Sequence, residues 1–187
     1  MDAELSGKQN AGGKRAENLY DWLESLVTAL VACILIFIFL FRVVNVDGSS
    51  MVPTLQNADK VVVSRLARNY RSGDIVVLTK VSYGDESLVK RVIATEGQTI
   101  DIDFDAGIVY VDGEALVEPY IAEPTRRSLD FDGPVTVPEH CVFCMGDNRN
   151  RSSDSRRSTI GMIDTRCVIG KVIFRIWPIA KLGTVYG

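Results

Sequence analysis

Residues 26–41 read LVTALVACILIFIFLF, and this stretch decides the fold of the N-terminal part of the chain. It carries no charge, and as a helix it spans roughly 25 Å, close to a hydrocarbon core of about 30 Å. Tyr20 and Trp22 precede it and Arg42 follows it, which is typical of side chains at the two membrane interfaces. We therefore predict one transmembrane helix over residues 25–42.

Two other structures share this pattern. A buried core helix that is apolar on every face needs more surrounding protein than the rest of the chain provides. A cleavable signal peptide has an apolar region of about 7–15 residues followed by a small-residue cleavage site, and residues 46–48 (VDG) match such a site poorly. A retained anchor is the preferred interpretation.

The anchor divides the chain into a tail of residues 1–24, a span of residues 25–42 and a domain of residues 43–187. Residues 1–16 are polar and have no apolar period, so we expect no regular structure there. Lysines and arginines lie on both sides of the span, and charge alone therefore leaves its orientation open.

Composition excludes several classes of function. The chain has 187 residues and a formal net charge of −3, so it lacks the cationic field that attracts nucleic-acid phosphates. Four cysteines and one histidine are too few and too scattered for a zinc module. We expect no nucleic-acid partner and no metal.

After the span, the sequence consists of short β-branched runs separated by Gly, Pro, Asn and Asp, and shows no long helical period. Such runs are typical of strands, and Asp112-Gly113 is a hairpin turn signal. The fold class is therefore mainly β, an antiparallel sheet or partly closed barrel behind one helix. The runs are KVVVSRL (60–66), DIVVLTKV (74–81), LVKRVIATEG (88–97), TIDIDFD (99–105), GIVYVDGE (107–114), GPVTVPEHCVFCMGD (133–147) and CVIGKVIFRIW (167–177).

Lys90 lies in one of these runs, LVKRVI (88–93). Strand alternation places Lys90 and Arg91 on opposite faces, each among aliphatic side chains, so one of the two lies in apolar surroundings. Desolvation lowers a lysine's pKa and makes the amine a candidate general base. An edge-strand lysine that discourages aggregation is the alternative.

Two further segments carry polar residues that a plain β domain does not need. Residues 47–55 (DGSSMVPTL) contain serines that fit either a turn or a nucleophile, and residues 145–156 (MGDNRNRSSDSR) form a dense polar loop. In that loop we expect ion pairs Asp147/Arg149 and Asp154/Arg156.

The remaining chemically active side chains are interpreted as structural. His140 has no serine or acid at motif spacing. Cys141 and Cys144 lie three apart in one predicted strand and so point to opposite faces, which excludes a disulfide between them.

Together the anchor and four segments resemble the type I signal peptidase family, membrane-bound Ser/Lys proteases. The match covers nearly the whole chain, in the family's order, and its size resembles the compact, single-anchor Gram-positive form without the large inserted β domain of other members. The segments are GSSMVPTL (48–55), SGDIVV (72–77), KRVI (90–93), and GDNR (146–149) through Ser152 and DSR (154–156).

The resemblance implies roles for individual residues. Ser50 is the nucleophile, Lys90 the general base, and Ser152 orients the lysine amine. The pairs Asp154/Arg156 and Asp147/Arg149 hold the loop. Some members carry a hydroxyl two residues before the nucleophile to bind the oxyanion, whereas this chain has Gly48, so the backbone N–H of Ser50 and a neighbouring group are the expected donors. The substrate pockets map onto Val46, Met51, Leu55, Leu88 and Val89.

The resemblance also implies a biological role. By this resemblance, we expect the chain to be a membrane-bound serine endopeptidase that cleaves signal peptides from exported preproteins after small residues of the Ala-x-Ala type, without a cofactor. The expected partners are signal-peptide-bearing preproteins, membrane lipid and, by proximity, the secretion translocon. The tail would be cytoplasmic and the catalytic domain on the extracytoplasmic side of the cell membrane.

Two other functions fit parts of the pattern. Self-cleaving repressors share a Ser/Lys pair, but the anchor and the lack of a DNA-binding segment argue against them. A catalytically silent, membrane-anchored β domain that binds exported proteins is the other, and peptide cleavage distinguishes it.

Overall fold

The computed structural model describes residues 2–67, 69–79 and 87–186, with side chains from residue 18 onward. It contains two compact units, Met1–Leu40 and Phe41–Gly187. The first is helix α1, Asp2–Leu40. Its segment Asn18–Leu40 is long and apolar enough to cross a membrane by length and composition, and none of it is buried within the protein.

Both ends of α1 differ from the prediction. The helix begins at Asp2, so the expectation of an irregular segment over residues 1–16 is wrong for the described part of it. That segment has no proline, and extending an existing helix costs far less than nucleating one. The helix ends at Leu40, because Phe41 and Arg42 already pair with the strand Lys60–Ser64.

The second unit is built on an open, seven-stranded sheet in the order β1-β2-β11-β3-β4-β9-β10, in which every pair is antiparallel. This confirms the predicted fold class. The last two residues of the run at 74–81 lie outside the described residues. The strands of this sheet are β1 Phe41–Asn45, β2 Lys60–Ser64, β3 Ile75–Thr79, β4 Ser87–Thr95, β9 Cys141–Met145, β10 Ile163–Asp164 and β11 Val168–Trp177.

A small second sheet, in the order β7-β6-β5-β8, is formed by the chain between β4 and β9. Its hairpin turns at Asp112 and Gly113, as the sequence predicts, and their φ values of 54° and 83° suit a type I′ turn. The strands are β5 Thr99–Asp103, β6 Ile108–Val111, β7 Glu114–Ala115 and β8 Val135–Thr136.

Strand β4 is the structural centre of the large sheet because its side chains contribute to three apolar clusters. Val89 packs in the first cluster, Ile93 in the second and Val92 in the third. Met51 and Leu55 are fully buried in the first cluster. Burial of a side chain of this size contributes about 1.5–3 kcal/mol, so these two anchor the segment that contains Ser50 against the sheet.

Candidate active site

Ser50 lies in a tight turn whose neighbours are fixed by the backbone. Val52 N–H donates to the Ser49 carbonyl at 3.2 Å, and Leu55 N–H donates to the Met51 carbonyl at 2.9 Å. The apolar side chains of Met51 and Leu55 are buried below the turn, while Ser50 is half-buried. The turn therefore holds the serine hydroxyl at the surface of the core.

Lys90 lies in β4 and only 3% of it is exposed. Its Nζ lies 2.9 Å from Ser50 Oγ and 3.0 Å from the Val89 carbonyl oxygen, to both of which it donates. When the amine is neutral, the same separation lets the serine hydroxyl donate to the nitrogen lone pair. The structure thus brings together a serine and a buried lysine at hydrogen-bond distance.

Burial lowers the pKa of Lys90 below its usual 10.5, although Asp154, Cys144 and Asp147 act in the opposite direction. The two carboxylates are each paired with an arginine, which weakens their stabilisation of an ammonium at Lys90. The Cys144 thiol is fully buried, and burial raises its pKa, so it is neutral. Desolvation therefore dominates, as a general-base lysine requires.

The segment of residues 146–149 docks on the serine turn. Asn148 N–H donates to the Ser50 carbonyl at 3.0 Å, and Asn148 Nδ2 donates to the Ser49 carbonyl at 3.0 Å. These two bonds connect the polar loop to the residues that carry the nucleophile. The loop is therefore part of the site.

One predicted ion pair in this loop is wrong. Asp147 binds the buried Arg91 through two bonds, Nε to Oδ1 at 2.8 Å and Nη2 to Oδ2 at 2.7 Å. Arg149 instead pairs with Glu118. Glu118 occupies the Arg149 guanidinium with two bonds, and the facing Arg91 of β4 offers Asp147 a planar, two-bond geometry.

The other predicted pair is confirmed. Asp154 accepts from Arg156 Nε at 2.9 Å and from Nη2 at 2.9 Å, and it also accepts the Gly146 N–H at 3.1 Å. Arg156 in turn donates to the Arg149 carbonyl at 2.6 Å. Both members of the pair are fully buried.

Sequence reasoning missed three residues of this network. Glu118 and Tyr120 come from the chain after β7, and Thr54 donates to Asp147. Glu118 lies 31 residues from its partner Arg149. No local sequence pattern predicts such a contact, since it depends on where the second sheet positions the segment that follows β7.

His140 and the cysteines behave as expected from the sequence. The His140 side chain is 81% exposed, at a turn of positive φ beside Glu96. Cys141 and Cys144 pack in different apolar clusters, on opposite faces of β9.

Comparison with known proteins decides the family. The family model described as signal peptidase, peptidase S26, matches residues 19–177. The chain belongs to this family. It contains the serine turn, Lys90 and the polar loop within the matched region, and it is a serine endopeptidase.

Individual members of the signal peptidase family are similar over most of their length. Signal peptidase I of Bacillus licheniformis is 35% identical over 182 residues, covering 90% of this chain and 94% of the relative. A probable signal peptidase I-1 of Synechocystis sp. is 38% identical over 168 residues, covering 84% and 82%. A crystal structure of a signal peptidase I from Enterococcus faecalis V583 gives a TM-score of 0.47 at 28% identity, covering 55% of this chain and 96% of that one.

Ser152, to which the family resemblance assigns the orientation of the lysine amine, is 2% exposed. Among the described residues its Oγ has no hydrogen-bond partner, so the predicted bond to Lys90 is not formed in this structure. Lys90 donates to Ser50 and Val89 instead. The role of Ser152 therefore stays a prediction.

Gly48 lies two residues before Ser50, in the segment where the oxyanion donors are expected. This residue has a φ of 84° and open space where a side chain would lie, and its N–H donates to Asn57. Within the described residues, the Ser50 N–H makes no hydrogen bond, which leaves it available to a substrate oxygen.

The residues assigned to substrate pockets divide into two groups. Four of them pack in the first apolar cluster and are almost fully buried, whereas Leu88 is half-buried against the third cluster. Pocket lining by these side chains stays a prediction. The four residues in the first cluster are Val46, Met51, Leu55 and Val89.

Proposed function

We propose that this chain removes signal peptides from exported preproteins with Ser50 as nucleophile and Lys90 as general base. The observation that carries the proposal is the 2.9 Å separation of Nζ and Oγ at a lysine that is 3% exposed. No cofactor takes part in this scheme.

The reaction is acyl transfer in two steps. Neutral Lys90 takes the proton of the Ser50 hydroxyl as the oxygen attacks the scissile carbonyl, and the resulting ammonium then protonates the leaving amine. Water, deprotonated by the same amine, hydrolyses the ester and regenerates the serine. The Ser50 N–H is the first donor to the oxyanion.

An unpaired strand edge supports the way in which a substrate would bind. On its β9 side, β4 pairs only from Arg91 to Thr95 within the described residues, which leaves residues 87–90 open beside the serine turn. An extended peptide can add to this edge by main-chain hydrogen bonds. Shallow pockets at Leu88 and its neighbours would then favour small residues, as in Ala-x-Ala.

The membrane part of the proposal rests on the apolar segment Asn18–Leu40. One crossing places Ser50 ten residues past the end of α1, near the bilayer surface where the apolar part of a signal peptide delivers its cleavage site, close to the translocon. The tail is then cytoplasmic and the β domain extracytoplasmic. Protease added to intact spheroplasts should digest the chain after Arg42, and protection of that region would contradict this orientation.

The chemical part is tested with purified full-length protein in detergent and a peptide whose signal-like segment ends in Ala-x-Ala and is followed by further residues. The wild type should cleave after the second alanine, and Ser50→Ala should lose all activity. Ser158→Ala, at an exposed position outside the site, is the matched control. Full activity in a folded Ser50→Ala protein would overturn the proposal.

A further inference from the structure

We infer that Glu118 and Tyr120 are positioning residues for the reaction, because they fix the two buried arginines that hold residues 146–149 against Ser50. This inference rests on the proposed function. The segment that contains both residues, 116–125, is here called the strap. It follows β7 and begins the connection between β7 and β8, which both belong to the second sheet.

Glu118 gives Arg149 its carboxylate partner. Its Oε2 accepts from Arg149 Nη1 at 2.9 Å, and its Oε1 accepts from Nη2. Thr125, at the end of the strap, accepts a further bond from Nη1 at 3.0 Å. The Arg149 side chain is fully buried and that of Glu118 is 5% exposed. Without Glu118, a cation would remain buried with no ion-pair partner among the described residues.

Tyr120 covers the second arginine. The centre of its ring lies 3.9 Å from the Arg91 guanidinium carbon, and its hydroxyl donates to Glu118 Oε1 at 3.1 Å. An arginine stacked in this way keeps its edge free for in-plane bonds. Arg91 uses that edge to bind Asp147, so the strap contacts both arginines through two residues that also bind each other.

Both arginines act on the residues that flank Asn148. Arg149 Nε donates to the Gly146 carbonyl at 3.2 Å, and Arg91 binds the Asp147 carboxylate. Asn148 then holds the Ser50 carbonyl. A contact path therefore runs from the strap, through two charged side chains, to the backbone of the nucleophile.

The strap also determines which arginine binds Asp147. Asp147 and Arg149 are two residues apart and are natural partners by sequence. Because Glu118 occupies Arg149, Asp147 is left to Arg91, whose plane Tyr120 fixes. This arrangement of charges is the one in which Asn148 faces Ser50.

The test compares kcat and KM for cleavage of the Ala-x-Ala peptide by full-length variants in detergent. Glu118→Gln and Tyr120→Leu should each lower kcat about 10- to 100-fold with KM changed less than about threefold, because the nucleophile is misplaced while the peptide-binding edge is intact. Tyr120→Phe, which keeps the ring over Arg91, should lose less than Tyr120→Leu. Glu114→Gln, which removes an exposed carboxylate of β7, is the matched control.

A double-mutant cycle tests the path to Ser50. If the strap acts through Asn148, then Glu118→Gln should cost several-fold less kcat in an Asn148→Ala background than in the wild type. Fractions folded are measured by tryptophan fluorescence, and kcat is expressed per folded molecule. Unchanged kcat per folded molecule, a change in KM alone, or strictly additive effects would each overturn the inference.

The two proposals fail in different ways. If the wild type does not cleave the peptide, or if Ser50→Ala still cleaves it, the proposed function is wrong. If the wild type cleaves and Ser50→Ala does not, while Glu118→Gln keeps its full kcat, only the inference about the strap is wrong.

Discussion

Gly146 lies so close to the Ser50 carbonyl oxygen that no β-carbon fits between them. A side chain built at Gly146 would overlap that oxygen and also the Ser152 hydroxyl. The backbone of the polar loop therefore packs directly against the serine turn, and this contact requires glycine at position 146.

Gly146→Ala should consequently displace the serine turn. We expect peptide cleavage to fall at least about 100-fold, since a displacement on the order of 1 Å at the reacting atoms has this effect. Steady-state cleavage measures the loss. Ser158→Ala, at an exposed position outside the site, is the control. Activity within a few-fold of the wild type would contradict the close contact.

Asp147→Asn should destabilise the β domain by roughly 3–5 kcal/mol, because it leaves the Arg91 guanidinium buried without its counter-charge. The Arg91 side chain is 4% exposed and that of Asp147 is fully buried. Urea unfolding followed by tryptophan fluorescence gives the difference in free energy.

Asp164→Asn is the control for this change. It breaks an ion pair with Arg166, whose side chain is 88% exposed, and solvent screening should leave the free energy of unfolding nearly unchanged. Equal losses in Asp147→Asn and Asp164→Asn would show that burial of the first pair has no special effect.

Ser152→Ala should lower the cleavage rate without loss of stability. Its buried hydroxyl lacks a partner among the described residues, and removing an unsatisfied hydroxyl is neutral or stabilises by about 1 kcal/mol. The lower rate is expected if the hydroxyl contacts the amine during the reaction. Cleavage and urea unfolding are measured on the same preparation, and a destabilised, fully active variant would contradict the prediction.

Lys90→Met should raise the stability most at low pH. Burial lowers the pKa of Lys90 in the folded state, so the unfolded chain binds more protons between that pKa and 10.5, and the wild type gains stability as pH rises through this interval. The stability advantage of Lys90→Met should therefore shrink from neutral pH to about pH 10. Lys60→Met, which removes an exposed lysine, is the control, and an advantage of Lys90→Met that is constant with pH would contradict the prediction.

The sequence predicts the strands and the Ser50 and Lys90 positions because their signals are local. Each β-branched run, the Asp112-Gly113 turn and each family motif is contained within a few consecutive residues. The apolar run continues from helix into strand, so hydrophobicity alone predicts a helix end at residue 42, two residues after the observed end at Leu40.

The network around Asp147 could not be predicted in the same way. Local spacing favours Arg149 as the partner of Asp147, whereas in the structure Asp147 pairs with Arg91 from β4 and Arg149 pairs with Glu118. Such choices depend on which charges the packed sheets bring face to face.

The most direct test of the Ser50/Lys90 assignment is the pH dependence of kcat/KM for one peptide in detergent, measured for wild type, Lys90→Arg and His140→Ala. We predict that activity falls on acidification through a single pKa below 10.5 and that His140→Ala keeps this profile. Lys90→Arg should be inactive because a guanidinium does not release its proton. Activity in Lys90→Arg, or loss of the profile in a folded His140→Ala protein, would contradict it.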